Sequence, residues 1–154
     1  MQVRKALLKD VKDIHRLINY YAKKGLVLPR SLSELYEHIR DYIVVEEDGV
    51  VCGTCALGIC WEDLAEIRSL AVAEEKKRRG YGSMLVRECI NEAKQLGVKK
   101  VFILTYIPDF FSRFGFQQIK KSLLPHKIWA DCLKCPKFPD CDEIAMSLNL
   151  QEEA

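Results

Sequence analysis

No long hydrophobic run occurs in this sequence, and its longest uncharged apolar stretch extends only from Val50 to Trp61. This stretch is well short of the roughly 18 apolar residues that a membrane-spanning helix requires. An N-terminal signal region is also missing, because Met1 leads within a few residues into a charged amphipathic segment. We therefore expect no membrane partner and a cytoplasmic location.

The sequence also lacks an excess of charge of either sign. Its 24 Lys and Arg residues nearly balance its 22 Asp and Glu residues, which leaves a formal net charge of +2. A protein that coats nucleic acid usually carries a basic excess, so we expect no nucleic-acid partner. The 154 residues, 49% of them hydrophobic and 30% charged, contain no internal repeat or linker. This length and composition predict one globular domain over residues 1–154, which leaves a homo-oligomer open.

A disulfide framework is not expected, because the seven cysteines are odd in number and scattered through a domain large enough to bury a core. Four of them lie in apolar segments, where a thiol packs as a small hydrophobe, namely Cys52, Cys55, Cys60 and Cys89. The loop of residues 126–143 contains the other three. There, three thiolates and an imidazole could close a tetrahedral zinc site from His126, Cys132, Cys135 and Cys141. The alternative is a loop with three reduced thiols.

The hydrophobic periodicity predicts alternating strands and helices. Strands are predicted at Val3–Leu7, Tyr42–Val45, Val50–Cys60, Ala65–Val72, Val101–Thr105 and Ile144–Leu150. Helices are predicted from Asp10 to Gly25, from Ser31 to about Arg40, from Tyr81 to Leu96 and from Phe110 to Phe114. This order indicates a mixed α/β sheet flanked by helices.

Local signals support several of these boundaries. Asp10 is the expected N-cap of the first helix, and Ser31 with Glu34 has the spacing of a capping box. The dipeptide Asp48-Gly49 suits a tight hairpin turn. Along the third helix, one apolar face is expected, formed by Leu85, Cys89, Ala93 and Leu96.

The segment Lys77–Gly82, with the sequence KRRGYG, follows a predicted strand and begins a predicted helix. Its glycines let backbone N–H groups approach a ligand, and the first turn of a helix favours an anion such as a pyrophosphate. Three consecutive cations strengthen the field. A P-loop is excluded because no Gly-Lys-Ser/Thr follows. The alternative is a solvated basic turn before an ordinary helix.

Three consecutive strands that end in this turn and helix resemble the GNAT superfamily of acetyl-CoA-dependent N-acetyltransferases, whose signature is Arg/Gln-x-x-Gly-x-Gly/Ala. Lys77 stands at the first position of that signature, and Phe110–Phe116 resembles the family's closing Phe-Tyr-x-x-x-Gly-Phe element. The resemblance implies a GNAT fold with a largely antiparallel central sheet, and acetyl-CoA as cosubstrate. The residues implied in binding it are Leu70, Ala71, Val72, Lys77, Arg78, Arg79, Gly80, Tyr81, Gly82 and Ser83.

Three further segments, Leu28–Ser31, Cys60–Val72 and Leu124–Lys127, are similar to the acetyltransferase domain of N-acetylglutamate synthase. That resemblance implies acetyl transfer to the α-amine of L-glutamate, the first step of arginine biosynthesis.

The amine must lose a proton before it attacks a thioester, which requires a positioned base. Glu66 is the candidate, because a carboxylate in an otherwise apolar strand is expected to have a raised pKa. The alternative is a structural ion pair with Arg68, two residues along the same strand. The backbone N–H of Leu70 is the expected oxyanion donor.

The departing CoA thiolate also needs a proton. Many GNAT members have a tyrosine where this chain has Phe111, which has no proton to give. The resemblance to the synthases points instead to Thr105 as a hydrogen-bonding or relay group, with Tyr106 beside it. The alternative for Thr105 is an ordinary strand residue.

A dicarboxylate substrate requires cations, and arginine pairs with a carboxylate in a bidentate way. Arg30 is the first candidate, and Arg68 and Lys127 are the others. Two alternatives stay open. The first keeps the fold and changes the acceptor to another amino acid, a peptide N-terminus or a small amine. The second is a non-enzymatic module that binds acetyl-CoA or senses metal or redox state.

Overall fold

The computed structural model describes residues 1–125 and 143–150, which form a mixed sheet with flanking helices. The strands are β1 (Gln2–Lys5), β2 (Tyr42–Glu47), β3 (Val50–Trp61), β4 (Leu64–Val72), β5 (Lys100–Thr105), β6 (Gln117–Gln118) and β7 (Ile144–Asn149). The helices are α1 (Val11–Ala22), α2 (Leu32–Glu37), α3 (Tyr81–Leu96) and α4 (Pro108–Ser112).

The seven strands pair in the order β1-β2-β3-β4-β5-β7-β6. Four pairings are antiparallel, namely β1 with β2, β2 with β3, β5 with β7 and β6 with β7, whereas β4 and β5 run parallel. The predicted mixed, largely antiparallel sheet is therefore confirmed. The packing divides the chain into two compact units, one of residues 1–57 and 67–89 and the other of residues 58–66 and 90–154. The expectation of a single domain stays a prediction.

In the first unit, β2 and β3 present opposite faces to different helices. Val44 of β2 packs in one buried cluster with Ile14 and Ile18 of α1 and Leu35 of α2. Because successive strand residues point to opposite faces, Gly53 of β3, opposite Val45, lies on the other face. An added Cβ at Gly53 would stand 3.2 Å from the Leu85 side chain of α3, so glycine permits the close approach of this helix.

The second unit contains an apolar cluster of its own. Phe102 of β5, Leu124 and Ala145 of β7 are buried together, with Cys60, Leu64, Leu104 and Ile119 packed against them. Strand β5 pairs with β7 along its whole length without a register shift, from Lys100 opposite Asn149 to Thr105 opposite Ile144.

Several local predictions are confirmed. Ser31 and Glu34 form a reciprocal capping box at the start of α2. Asp48 and Gly49 adopt left-handed φ angles of 54° and 77° between β2 and β3, as a tight hairpin turn requires. Helix α3 spans Tyr81–Leu96 as predicted.

Leu96 does not belong to the buried face of α3 and is 59% exposed. The helix ends in a Schellman motif, in which Gly97 has a φ of 86° and the Val98 N–H donates to the Ala93 carbonyl. Val98 is buried just beyond the helix. The predicted apolar face of α3 is therefore buried at Leu85, Cys89 and Ala93 but not at Leu96, and the next buried hydrophobic residue is Val98, beyond the cap.

Asp10 stands before α1 as predicted, but its side chain does not cap that helix. The carboxylate instead accepts hydrogen bonds from the Arg4 guanidinium and from the Leu7 N–H. Pairing with the half-buried Arg4 thus takes the place of the expected side-chain cap of α1.

Other boundaries also differ from the sequence prediction. α2 ends at Glu37, where the chain tightens into a 3-10 turn over Ile39–Asp41. α4 begins at Pro108, whose restricted φ suits the first turn of a helix. The two-residue strand β6 was not predicted.

Candidate functional site

The turn before α3 combines left-handed backbone with the start of a long helix. Arg78 and Gly80 have φ angles of 68° and 83°, and the Gly80 carbonyl accepts the first intrahelical bond, from the Met84 N–H at 3.0 Å. Amide groups in the first turn of a helix have no intrahelical acceptor. Here these are the amides of Tyr81, Gly82 and Ser83. Their N–H donors and the positive end of the helix dipole therefore lie together at the N-terminus of α3.

Two cations of this turn, Lys77 and Arg79, lie beside neighbouring side chains although they are exposed to solvent. Lys77 Nζ lies 3.6 Å from a Glu74 carboxylate oxygen and 4.8 Å from the centre of the Tyr21 ring. Arg79 Nη1 lies 3.3 Å from Glu47 Oε1. The turn therefore presents positive charge from oriented groups, which suits a phosphate ligand.

The end of β4 approaches this turn with an irregular backbone. Ser69 has a φ of 58° inside the strand, a conformation typical of β-bulges rather than of regular pleats. Beyond it come Leu70, Ala71 and Val72, whose backbone the sequence predicts to contact the acetyl donor. The Tyr21 hydroxyl donates to the Val72 carbonyl, which leaves the second lone pair of that oxygen for another donor.

Two arginine side chains and a buried tyrosine lie in the same unit as the turn. The side chains of Arg30 and Arg68 are only 10% and 16% exposed. Burial raises the pKa of Tyr42, and the Ser69 hydroxyl and the charges of both arginines partly oppose this rise. Both guanidinium groups therefore lie within electrostatic range of one buried hydroxyl.

Neighbouring residues orient this arginine pair. Asn19 Nδ2 donates to the Arg30 carbonyl at 3.2 Å, and Arg30 Nη1 lies 3.4 Å from Glu34 Oε2. Arg68 Nη2 lies 3.6 Å from Asp41 Oδ2. Each of the two guanidinium groups is therefore held beside one carboxylate, in the same unit as the turn before α3.

The predicted base belongs to the other unit. Glu66, on β4, is 7% exposed, and its strand neighbours Ala65 and Ile67 are more deeply buried. A carboxylate in such surroundings is costly to bury unless it has an interaction partner. Glu66 is not without one.

The groups considered for the leaving thiolate also lie in that unit. Thr105 is 5% exposed, and its hydroxyl oxygen accepts a 2.9 Å hydrogen bond from the Ile107 N–H. Thr105 therefore has a structural role at the end of β5, while its own hydroxyl proton remains available for donation. Tyr106 beside it is half-buried. Phe111 is buried and packs edge-on against Phe116.

The remaining predicted residues, Lys127 and the zinc ligands His126, Cys132, Cys135 and Cys141, lie outside the described residues. Within residues 1–125 and 143–150, no group of three or more His, Cys, Asp or Glu side chains could hold a metal ion. In that same part of the chain, no helix is long and apolar enough to cross a membrane.

Four residues around the turn and the arginine pair were missed at the sequence level, namely Tyr21, Glu47, Tyr42 and Ser69. Tyr21, Tyr42 and Ser69 lie inside predicted elements, and Glu47 lies between two predicted strands, where nothing distinguishes them from core or surface residues. Serine has no special preference for the left-handed conformation that Ser69 adopts. Only the folded backbone shows their roles.

Comparison with known proteins agrees with this geometry. A sequence model of the Acetyltransferase (GNAT) family matches residues 8–116. An uncharacterized N-acetyltransferase of Chlorobaculum tepidum is 46% identical over 148 residues, which cover 96% of each chain. An amino-acid acetyltransferase of Mycobacterium tuberculosis is 37% identical over 121 residues, which cover 77% of this chain and 69% of the relative.

Solved structures show the same likeness. A Mycobacterium tuberculosis protein in complex with CoA has a TM-score of 0.84 and 30% identity, and the match covers 98% of this chain and all of the other. The N-acetylglutamate synthase of Neisseria gonorrhoeae, complexed with CoA and N-acetyl-glutamate, has a TM-score of 0.88 and 27% identity. That match covers 98% of this chain but 35% of the synthase. The chain belongs to the GNAT family of acetyltransferases.

Proposed function

We propose that this protein is an acetyl-CoA-dependent N-acetyltransferase that transfers the acetyl group to the α-amine of L-glutamate, the first reaction of arginine biosynthesis. The observation that carries the choice of acceptor is the cationic pair of Arg30 and Arg68. Two largely buried guanidinium groups near one hydroxyl suit a small dicarboxylate better than a neutral amine or a long peptide. The relatives named for amino-acid acetyltransfer support the same choice.

In this proposal, the turn Lys77–Gly80 and the first amides of α3, from Tyr81 to Ser83, bind the diphosphate of acetyl-CoA. The end of β4, from Leu70 to Val72, binds the pantetheine arm through its backbone. The helix dipole and the oriented cations stabilise the phosphate charge. Acetyl-CoA is a substrate here.

Glu66 removes a proton from the glutamate ammonium, directly or through a water molecule, and the free amine attacks the thioester carbonyl. The Leu70 N–H stabilises the resulting oxyanion, and the left-handed Ser69 before it turns that amide out of the regular pleat. The attacking nitrogen, which now carries a positive charge, loses its second proton to solvent, and the C–S bond breaks while the C–N bond is retained. The CoA thiolate takes a proton from solvent or through Thr105 and Tyr106.

Substrate profiling tests the proposal directly. Purified protein is assayed for CoA release from acetyl-CoA with glutamate, glutamine, other amino acids, small amines and peptides. We expect glutamate to give the highest kcat/KM, and glutamine, which lacks the second carboxylate, to be a poorer acceptor. Turnover with glutamate no higher than with buffer would refute the acceptor assignment. CoA binding without any turnover would favour the non-enzymatic module.

Variants of the arginine pair test the observation itself. Arg30→Met should raise the KM for glutamate about 10- to 100-fold, since a hydrogen bond to a charged group contributes ~1.5–3 kcal/mol. Arg30→Lys should recover part of this loss, because it keeps the charge but not the bidentate geometry. Arg16→Met is the control, since the Arg16 side chain is 75% exposed on α1. Equal effects of Arg30→Met and Arg16→Met would contradict a role in binding.

A further inference from the structure

Glu47, the last residue of β2, contacts three side chains around the turn before α3. Its Oε2 accepts a hydrogen bond from the Tyr81 hydroxyl. Its Oε1 lies 3.3 Å from Arg79 Nη1 and 3.5 Å from Lys76 Nζ. Because Lys76 precedes the turn Lys77–Gly80 and Tyr81 follows it, one carboxylate links both ends of the turn.

The carboxylate is held on a rigid element. Glu47 pairs with Val50 in the β2–β3 register, and the left-handed Asp48 and Gly49 close the hairpin directly after it. Its side chain is 20% exposed, less than that of Arg79 at 50%. A strand end with a tight turn positions a functional group more accurately than a loop does.

The charges around Glu47 favour its ionised form. The Tyr81 hydroxyl, followed by Lys76 and Arg79, lowers the pKa of the Glu47 carboxyl below its usual range. Without this carboxylate, neighbouring cations would repel one another beside the positive end of the helix dipole. Glu47 therefore stabilises a cluster of like charges in one arrangement.

We propose that Glu47 is a positioning residue that holds Arg79, Lys76 and the first residue of α3 in place for the diphosphate of acetyl-CoA. This inference rests on the proposed function. The same carboxylate also repels an incoming phosphate, which would weaken binding. Positioning outweighs this repulsion for two reasons. The Glu47 carboxylate is already paired with two cations, so its charge is largely neutralised. The side chains that it orients bind the diphosphate without further loss of conformational entropy.

The test compares two acetyl donors in the Glu47→Gln variant. Acetyl-CoA contains the diphosphate, and acetyl-pantetheine lacks it together with the nucleotide. We expect kcat/KM for acetyl-CoA to fall about tenfold through KM, the scale of one charge-assisted hydrogen bond, with kcat nearly unchanged. The kcat/KM for acetyl-pantetheine should stay within about twofold of the wild-type value.

Each outcome bears on the proposal. A higher kcat/KM for acetyl-CoA in Glu47→Gln would mean that repulsion dominates and would overturn it. Equal losses with both donors would indicate a general structural role and would also overturn it. No turnover of either donor by the wild-type protein would refute the proposed function instead, which keeps the two failures distinct.

Two more variants complete the design. Tyr81→Phe removes the hydrogen bond and keeps the carboxylate, so it should reproduce the selective loss with acetyl-CoA and serves if Glu47→Gln fails to fold. Glu75→Gln removes an exposed carboxylate beside the same turn and should leave KM for acetyl-CoA within about twofold or lower it slightly, because only a charge is lost. A KM rise in Glu75→Gln equal to that in Glu47→Gln would contradict a specific role for Glu47.

Discussion

The ion pair of the buried Asp10 with the half-buried Arg4 is expected to stabilise the fold strongly, and the variant Asp10→Asn tests this. The Asp10 side chain is 4% exposed, and its oxygens lie 2.7 Å from Arg4 Nη1 and 3.0 Å from Nη2. A third bond comes from the Leu7 N–H at 2.7 Å. Asparagine keeps the shape but removes the charge and turns an amide donor toward another donor.

Breaking a buried ion pair by removing one partner costs about 3–5 kcal/mol. Arg4 would keep its 2.8 Å pairing with Glu46, so we expect the lower end of this range, about 3 kcal/mol. For a chain of this size, that loss lowers Tm by roughly 6–12 °C. Urea unfolding followed by circular dichroism at neutral pH measures the free-energy difference.

The pH dependence gives a second readout. Arg4 and the Leu7 N–H hold the pKa of the Asp10 carboxyl below its ordinary value of 3.8, against the opposing effect of burial. The stability that Asp10 contributes is therefore fully present above pH 3.8 and is lost as the pH falls through the lower folded pKa. The gap between wild type and Asp10→Asn should shrink over that acidic range.

A matched control lies on the first turn of α1. Asp13 pairs with Arg16, whose side chain is 75% exposed, so Asp13→Asn should cost only about 0–1 kcal/mol. If Asp10→Asn destabilised the protein no more than Asp13→Asn, the assignment of Arg4–Asp10 as a strong buried pair would be refuted.

Two further predictions concern catalysis and metal. Glu66→Gln should lower kcat near neutral pH by about 10²- to 10⁴-fold, the usual contribution of a general base. The control Glu62→Gln, in the exposed β3–β4 turn, should leave kcat unchanged. Full activity of Glu66→Gln would rule out the base assignment. The zinc hypothesis for His126, Cys132, Cys135 and Cys141 predicts one zinc per chain after purification without added metal and its loss in Cys135→Ser; a metal-free wild-type protein would reject it.

The elements that were predicted accurately are those with strong local signals. The capping box of Ser31 and Glu34, the Asp48-Gly49 turn and the bounds of α3 each depend on residues within a few positions of one another. Turn and cap chemistry acts over that range, so the sequence is sufficient.

The predictions that were wrong concern side chains whose expected role is replaced by another interaction only a few positions away in the chain. Aspartate is a preferred N-cap residue, yet the Asp10 carboxylate accepts hydrogen bonds from Arg4 and does not cap α1. A charged pair is stronger than one local capping bond. Leu96 fits the helical period, yet the Schellman motif buries Val98 beyond it. In both cases a local pattern identifies the candidate residue, and the contacts in the folded chain decide whether it has the predicted role.

The same division holds for the candidate site. The sequence by itself determined the basic glycine-containing turn, its helix and the buried strand with Glu66, because each is a contiguous segment with its own chemistry. Only the tertiary structure brought Ser69 to Tyr42, 27 positions away, and Tyr81 to Glu47, 34 positions away. Such contacts join residues on different strands and helices, so they depend on which strands pair and on how α3 packs on the sheet, and no single contiguous segment encodes that.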